Sequence, residues 1–453
     1  MCNVILTRDK SFYRTFAKLA LTLMLEQAVI LSVNLADNLM LGAYSEASLS
    51  GVAAVNQIQF VLQQVAYALG NGMIVLASQY WGQKRLKEIR QLSSIALRGE
   101  ILLSLLLFAL VSLFPAGTLR LFTNQPMFIS EGVKYLSIIR FSYLFFTLTA
   151  VLLSTMRVVE QVKIALQASI LALAVNCALN ALLIYGRFGL PEMGVRGAAI
   201  GTLTARIVEF ALVAYTVFFR DKRLSLRMRD CLHVDRVMLR DYLRVTLPVA
   251  CTATLWGVSN ALQTVILGHL DDSAIAAQSI SSTVFLLLKV TSVGAASAAS
   301  ILIGKTIGEG KMEKLREYTR TLQLTFLAIG LTLALIMLCV RGPLLALYDI
   351  SERTRELAGA YMLIQSVVLF TMSYQMPVNT GIIRGGGDTR FAMILDLVSI
   401  WGIVMPVSLL CAFVWKLSPI VVIIALNSDQ VFKCIPACIR VNSYKWVRKL
   451  TRA

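Results

Sequence analysis
Glu26, Asn34 and Asp37 interrupt one long apolar run. Spaced by eight and three residues, they share a face if that run is a helix. A second run carries Asn176 and Asn180 one helical turn apart. Polar and ionisable groups inside a membrane are costly, so each calls for a reason. A carboxylate with amide neighbours can take up a proton, or coordinate Na⁺ through its oxygens. Asp37, Asn34, Asn176 and Asn180 are therefore the candidate ion-coupling set, and Na⁺ at Asp37 is the one metal the pattern suits. In the competing reading Asp37 only ends its helix near the outer interface. The amide pair favours ion binding.

Lys289 lies roughly 20 Å from either end of its apolar run by helix rise, too deep for easy snorkelling. It wants a carboxylate or a water-filled cavity, and Asp396 is the candidate partner by type. Tyr67, Met156 and Trp256 are deep enough to line a cavity with Glu26, Lys289 and Asp396. Aromatic faces and thioethers there suit flat, lipophilic cations; the plainer reading makes each of them core. Arg206 and Glu209, three apart, read as a structural ion pair.

Other chemistries find little support. The eight cysteines form no CxxC pair or Cys/His metal spacing, and Cys434 and Cys438 read as packing. Gly385, Gly386 and Gly387 lack the GK[ST] ending of a phosphate-binding loop. A membrane enzyme would need an interfacial cluster of His, Asp or Glu, and the two histidines, His233 and His269, stand far apart. No catalytic residue is assigned and no cofactor is expected beyond a coupling ion, H⁺ or Na⁺.

The elements that hold these residues follow from hydropathy. Of 453 residues, 57% are apolar and 15% charged, too few charges to clothe a soluble surface. Apolar runs of about 20 residues can cross a hydrocarbon core ~30 Å thick, and lipid forces them to be helical. We place twelve spans at 16–41, 49–80, 92–114, 131–156, 164–186, 196–219, 242–268, 276–305, 321–340, 356–383, 391–414 and 419–440. The net charge of +18 is topological. With both termini inside, the inner loops receive Lys84, Arg85, the run from Arg220 to Arg244, Lys311, Lys314 and the tail from Lys433 to Arg452. The outer loops keep few basic residues, a positive-inside bias whose partner is anionic membrane lipid, not nucleic acid. The first run is retained as a helix, with no cleavage site after it.

The chain repeats. Under one constant shift Leu41-Gly42 falls on Leu267-Gly268, Glu46 on Asp272, Gly82 on Gly308 and Arg90 on Arg316. With one residue more, Arg157 falls on Arg384 and Lys163 on Arg390. Six helices per half give both halves the same orientation, a parallel repeat. The expected architecture is an all-α integral membrane protein of two pseudo-symmetric six-helix lobes, 1–219 and 244–453, the second with a basic cytoplasmic tail. Residues 220–243 form a cytoplasmic linker. The stretch Gly294-Ala-Ala-Ser-Ala-Ala-Ser300 allows close helix approach.

Several motifs resemble the multidrug and toxic compound extrusion family. They are Asp37-Asn-Leu-Met-Leu-Gly42, Gln79-Tyr-Trp-Gly82, and Asn176, Asn180 and Tyr185-Gly186 followed by Pro191-Glu-Met-Gly194. On span 10 stand Gln375-Met-Pro377-Val-Asn379 and Arg384-Gly-Gly-Gly-Asp388-Thr389-Arg390, with Trp401 and Pro406 beyond. The glycine-aspartate turn and the Leu-Pro-x-x-Gly loop are specific together, and the resemblance covers nearly the whole chain. It implies antiport of H⁺ or Na⁺ against cationic small molecules, with Asp37 as the coupling carboxylate; a monomer in the inner (plasma) membrane is expected. Arg384 and Asp388 would form a structural turn, and Gln375 and Asn379 join the candidate cavity. The chain departs from the pattern where Gln263, not an acid, matches Asp37, where span 1 lacks proline, and where Arg157-Val-Val-Glu160 replaces the first-lobe glycines. A flippase of a lipid-linked or glycan substrate is the alternative that Lys289 and Arg140 keep alive.

Overall fold
The computed structural model describes residues 6–123, 125–186, 189, 191–227, 230, 235–268, 272–346, 348 and 350–452. His233 and His269 lie outside the described residues. The described residues form helices and connecting loops, with no strand. Eleven helices are long and apolar enough to cross a membrane, and a bent pair makes a twelfth. They are span 1 (Lys10–Tyr44), 2 (Glu46–Gly82), 3 (Leu86–Leu113), 4 (Pro126–Ile139 with Ser142–Val158), 5 (Lys163–Leu183) and 6 (Val195–Arg220). Span 7 (Arg236–Gly268), 8 (Asp272–Gly308), 9 (Met312–Ala346), 10 (Glu352–Ile383), 11 (Thr389–Val414) and 12 (Pro419–Asn442) follow.

All twelve expected spans are present, with two differences. Spans 1, 3, 7 and 9 start well before their apolar runs, because the basic segments ahead of those runs continue the helix. Hydropathy reads lipid contact, and a helix need not stop where lipid does. Span 4 is not one straight helix but bends by 56° between Ile139 and Ser142. There the backbone changes to i→i−3 bonds, Phe141 to Ile138 and Tyr143 to Arg140, and the Arg140 guanidinium sits over the Phe108 and Phe141 rings. Wide π-type turns follow Pro377 and flank Pro406, where a missing N–H and a bulky ring disrupt the α-helical ladder.

Contacts divide the chain into two compact units. The N-terminal unit comprises Leu25–Ala77 and Lys84–Ala250; the C-terminal unit comprises the described part of Met1–Met24 with Ser78–Gln83 and Cys251–Ala453. Packing thus divides span 1 between the units and puts the expected linker with the N-terminal one. A repeat is a unit of chain and a contact cluster a unit of packing, so the two divisions need not coincide.

Tyr135, Tyr143, Leu62, Val111 and Ile184 centre the N-terminal core. Tyr361, Met337, Met362 and Leu369 centre a C-terminal one, beside a second cluster around Ile400 and Cys411. Leu102, Leu105, Leu106, Leu110 and Leu113 on span 3 are exposed, the outward face that lipid requires. The small-residue stretch of span 8 does allow close approach: a Cβ on Gly294 would sit 2.8 Å from the Ala20 carbonyl, and one on Gly381 2.7 Å from that of Ala296.

The C-terminal tail folds back inside its own unit. Asp388, fully buried, is held by Arg440 and by Arg448 Nη2 at 2.8 Å. Trp446 is buried against Gly386, and its indole N–H donates to Val441 O at 2.8 Å. Gln79 Nε2 donates to Arg448 O at 3.0 Å, and Gln79 Oε1 accepts from Leu450 N at 2.8 Å. Gly387 has φ +103° and lies 3.1 Å, measured from a built Cβ, from Arg448 O, so the turn admits glycine alone without strain.

Candidate functional site
The N-terminal unit gathers its polar residues from five spans. Span 1 supplies Glu26 and Asp37, and span 5 supplies Asn176 and Asn180, whose one-turn spacing puts both amides on one face. Asn180 Nδ2 donates to Asp37 Oδ1 at 2.6 Å and sits 3.3 Å from Asn176 Oδ1. Asn176 Nδ2 donates to Thr202 Oγ1 of span 6 at 3.1 Å. Both asparagines are fully buried, and the Asn180 side-chain oxygen has no donor. Gly201 leaves room for that amide, since any Cβ there would strike it.

The same unit holds a cavity of about 430 Å³, part of it open to solvent, lined by Glu26, Tyr67, Phe146, Arg157, Arg206 and Glu209, among others. Its charges are matched. Arg157 Nη2 meets Glu26 Oε1 at 2.5 Å, and Arg206 Nη1 meets Glu209 Oε2 at 2.7 Å. The Arg206 guanidinium also lies over the Phe146 ring, 5.1 Å from its centre, and Gln63 Nε2 donates to the Tyr67 hydroxyl at 3.3 Å. Asp37 differs from Glu26 and Glu209: its contacts are amides, and among the described residues it forms no ion pair.

Asp37, Asn176 and Asn180 thus come together, and Glu26 and Tyr67 line the cavity beside them. Asn34 does not join them; it is exposed, because eight residues past Glu26 is about 80° further round the helix. Met156 is fully buried in the core and is not among the lining residues. Arg157 and the Arg206–Glu209 pair, read from sequence as a turn residue and a structural contact, line the cavity.

In the C-terminal unit the Lys289 ammonium lies over the Trp256 ring, 5.0 Å from its centre. The acid whose charge acts on it is Asp429, not the expected Asp396. Asp396 belongs to Lys433, which bridges it at 3.0 Å and Asp429 at 2.9 Å. Lys433, expected in the basic tail, is a buried residue of span 12, 3% exposed, because the helix runs on to Asn442. Gln375 Nε2 donates to Gln430 Oε1 at 2.6 Å, and Gln430 Nε2 to Asp429 Oδ2 at 2.7 Å. Asn379 is buried with its side-chain oxygen unpartnered. Arg384 is half-buried and feels the charge of Asp396, whereas Asp388 anchors the tail, a role the turn motif alone does not disclose.

Comparison with known proteins adds three findings. The MatE family model matches residues 23–182 and 248–410. A probable multidrug resistance protein NorM from Thermotoga maritima is 27% identical over 439 residues, covering 96% of this chain and 94% of its own length. The fold matches the Vibrio cholerae MATE transporter VcmN in its bent form, with TM-score 0.85 at 17% identity over 96% of this chain and 97% of that one. It also matches the eukaryotic MATE transporter AtDTX14, with TM-score 0.83 at 17% identity over 97% and 98%. Twelve spans and a family model matched over both halves make the chain a member of the MatE family, a multi-pass membrane transporter of the multidrug and toxic compound extrusion type and not an enzyme.

Proposed function
We propose that the chain exports cationic small molecules by antiport against H⁺ or Na⁺, with Asp37, Asn176 and Asn180 as the coupling site. One observation carries this reading: of the carboxylates Glu26, Asp37 and Glu209 in the N-terminal unit, Asp37 is the one that faces amides in place of a guanidinium. Its charge is therefore free to be met by an ion. The unmet Asn180 oxygen next to it is a further ligand for Na⁺, or an acceptor for a protonated partner. The Tyr67 and Phe146 rings offer aromatic faces that suit a flat organic cation. Occupation of Asp37 by the ion removes the negative charge that would hold such a cation, so each ligand disfavours the other. Asn34 has no part in this site. The polar chain through Gln375, Asp429, Lys433 and Asp396 is already bonded within itself and serves as structure.

We place the protein in the inner (plasma) membrane as a monomer, both termini cytoplasmic, its basic inner loops against anionic lipid headgroups. The test uses proteoliposomes holding a fluorescent organic cation, with Na⁺ and H⁺ gradients imposed separately, on wild type and Asp37→Asn. Gradient-driven movement that is lost in the variant supports the reading and names the ion. Movement that survives the substitution removes Asp37 from the coupling site.

A further inference from the structure
Span 3 carries a carboxyl group that this transport scheme does not use. Glu100 is fully buried within the N-terminal unit, and neither of its oxygens has a hydrogen-bond donor. Every other buried acid among the described residues is met. Glu26 and Glu209 have arginines, Asp388 has Arg440 and Arg448, Asp429 has Lys433, and Asp221 accepts from Gln161 and from the Leu224 backbone N–H.

Among the described residues the surroundings offer Glu100 no counter-charge. Span 2 has no charged residue between Glu46 and Lys84, and Leu69 is its nearest approach to the adjacent Gly99, 3.9 Å from a built Cβ. On the second half of span 4, packed along span 3, the charged residue is Arg157, which Glu26 occupies. Arg98 and Arg120 are exposed, as are Arg240 and Arg244 on span 7; Asp241, also on span 7, is an acid. The titratable group that feels Glu100 is Tyr242 of span 7, and its hydroxyl already donates to the Leu69 carbonyl at 3.0 Å. One turn further on, the Thr246 hydroxyl is buried beside that of Tyr242 and pressed onto Gly72 of span 2.

An unpaired carboxylate at so buried a position is far costlier than the neutral acid. We propose that Glu100 is a second proton-binding site, separate from Asp37, at the meeting of spans 2, 3 and 7. It holds a proton as the neutral carboxylic acid at neutral pH and gives it to water as the solution becomes alkaline. The O–H bond breaks, the proton leaves as hydronium, and the carboxylate remains. The two carboxyl oxygens and the Thr246 hydroxyl offer too few ligands to replace the hydration shell of Na⁺. The inference does not depend on the role proposed for Asp37.

Infrared spectroscopy of the full chain in Na⁺-free proteoliposomes tests it, on wild type, Glu100→Gln, Glu100→Asp and Asp37→Asn. The expected result is a protonated-carboxyl C=O band at neutral pH that converts to carboxylate absorption at alkaline pH. Glu100→Gln loses that band, Glu100→Asp shifts its frequency, and Asp37→Asn keeps it. If Glu100→Gln fails to fold, the frequency shift in Glu100→Asp decides. Identical spectra for wild type and both Glu100 variants overturn the inference, because Glu100 is then ionised. A band removed by Na⁺ at fixed pH, or lost in Asp37→Asn and kept in Glu100→Gln, overturns it as well.

Discussion
Lys433, 3% exposed and held between Asp396 and Asp429, shows what a single buried cation does here. Two carboxylates this close repel each other once the ammonium is removed, and neither has another cation within bonding distance among the described residues. Lys433→Met should therefore cost about 3–5 kcal/mol, read as a lower melting temperature in detergent. Adding Asp396→Asn and Asp429→Asn to that variant should restore most of the loss. If the single variant melts like wild type, the buried triad is not what holds spans 11 and 12 together. At the same scale Glu26 and Asp37 share one helix and differ in role because of what stands opposite: an arginine for one, an amide for the other. Residue types and the eleven-residue spacing along span 1 cannot distinguish them.

At the scale of elements, two chain ends are tied down by specific side chains. Near the N-terminus, outside the membrane-spanning part, Asp9 accepts from the Ser11 hydroxyl at 2.6 Å and from Tyr318 of span 9 at 2.9 Å, with Lys314 at 3.7 Å. These contacts, the Ser11 hydroxyl first and the Tyr318 hydroxyl next, hold its carboxyl down at about 2. A depressed acid stabilises the fold above its unfolded value near 4 and loses that contribution as pH falls from there toward 2. Acid exposure between pH 4 and pH 2 should thus loosen the 6–12 segment first, measurable as faster hydrogen exchange there in wild type and as no such pH step in Asp9→Asn. At the other end, Trp446→Ala empties a fully buried site against Gly386, and should cost about 3–5 kcal/mol in thermal unfolding. A loss below 1 kcal/mol would mean that the tail adds little to the fold. The tail was legible in the sequence only as a cluster of basic residues, because the partner of Arg440 and Arg448 is an aspartate some fifty residues away.

For the whole molecule, antiport demands reciprocity between its two ligands. If saturating substrate raises the apparent ion dissociation constant by some factor, saturating ion must raise that of the substrate by the same factor. Equilibrium binding of each ligand at fixed levels of the other measures both factors, and unequal factors or none would remove linked binding from the scheme. The cavity and the Asp37 site lie within the N-terminal unit, so the expected dependence should vanish in Asp37→Asn and persist in Lys289→Ala. Loss in the lysine variant would move the site to the C-terminal unit.

The sequence by itself determined the spans and their order, and it pointed to the repeat and to a polar set of Asp37, Asn34, Asn176 and Asn180. Each of these rests on something local or periodic: apolar length against bilayer thickness, basic residues between runs, a one-turn spacing of amides. Only the tertiary structure decided that Asn34 turns away, that Lys433 and not Lys289 holds Asp396, that Arg157 closes on Glu26, and that Glu100 has nothing to close on. Those outcomes depend on which distant helix faces which, and on whether it brings a donor, a cation or a leucine. In a medium without water to satisfy what is left over, that pairing assigns each buried charge its role.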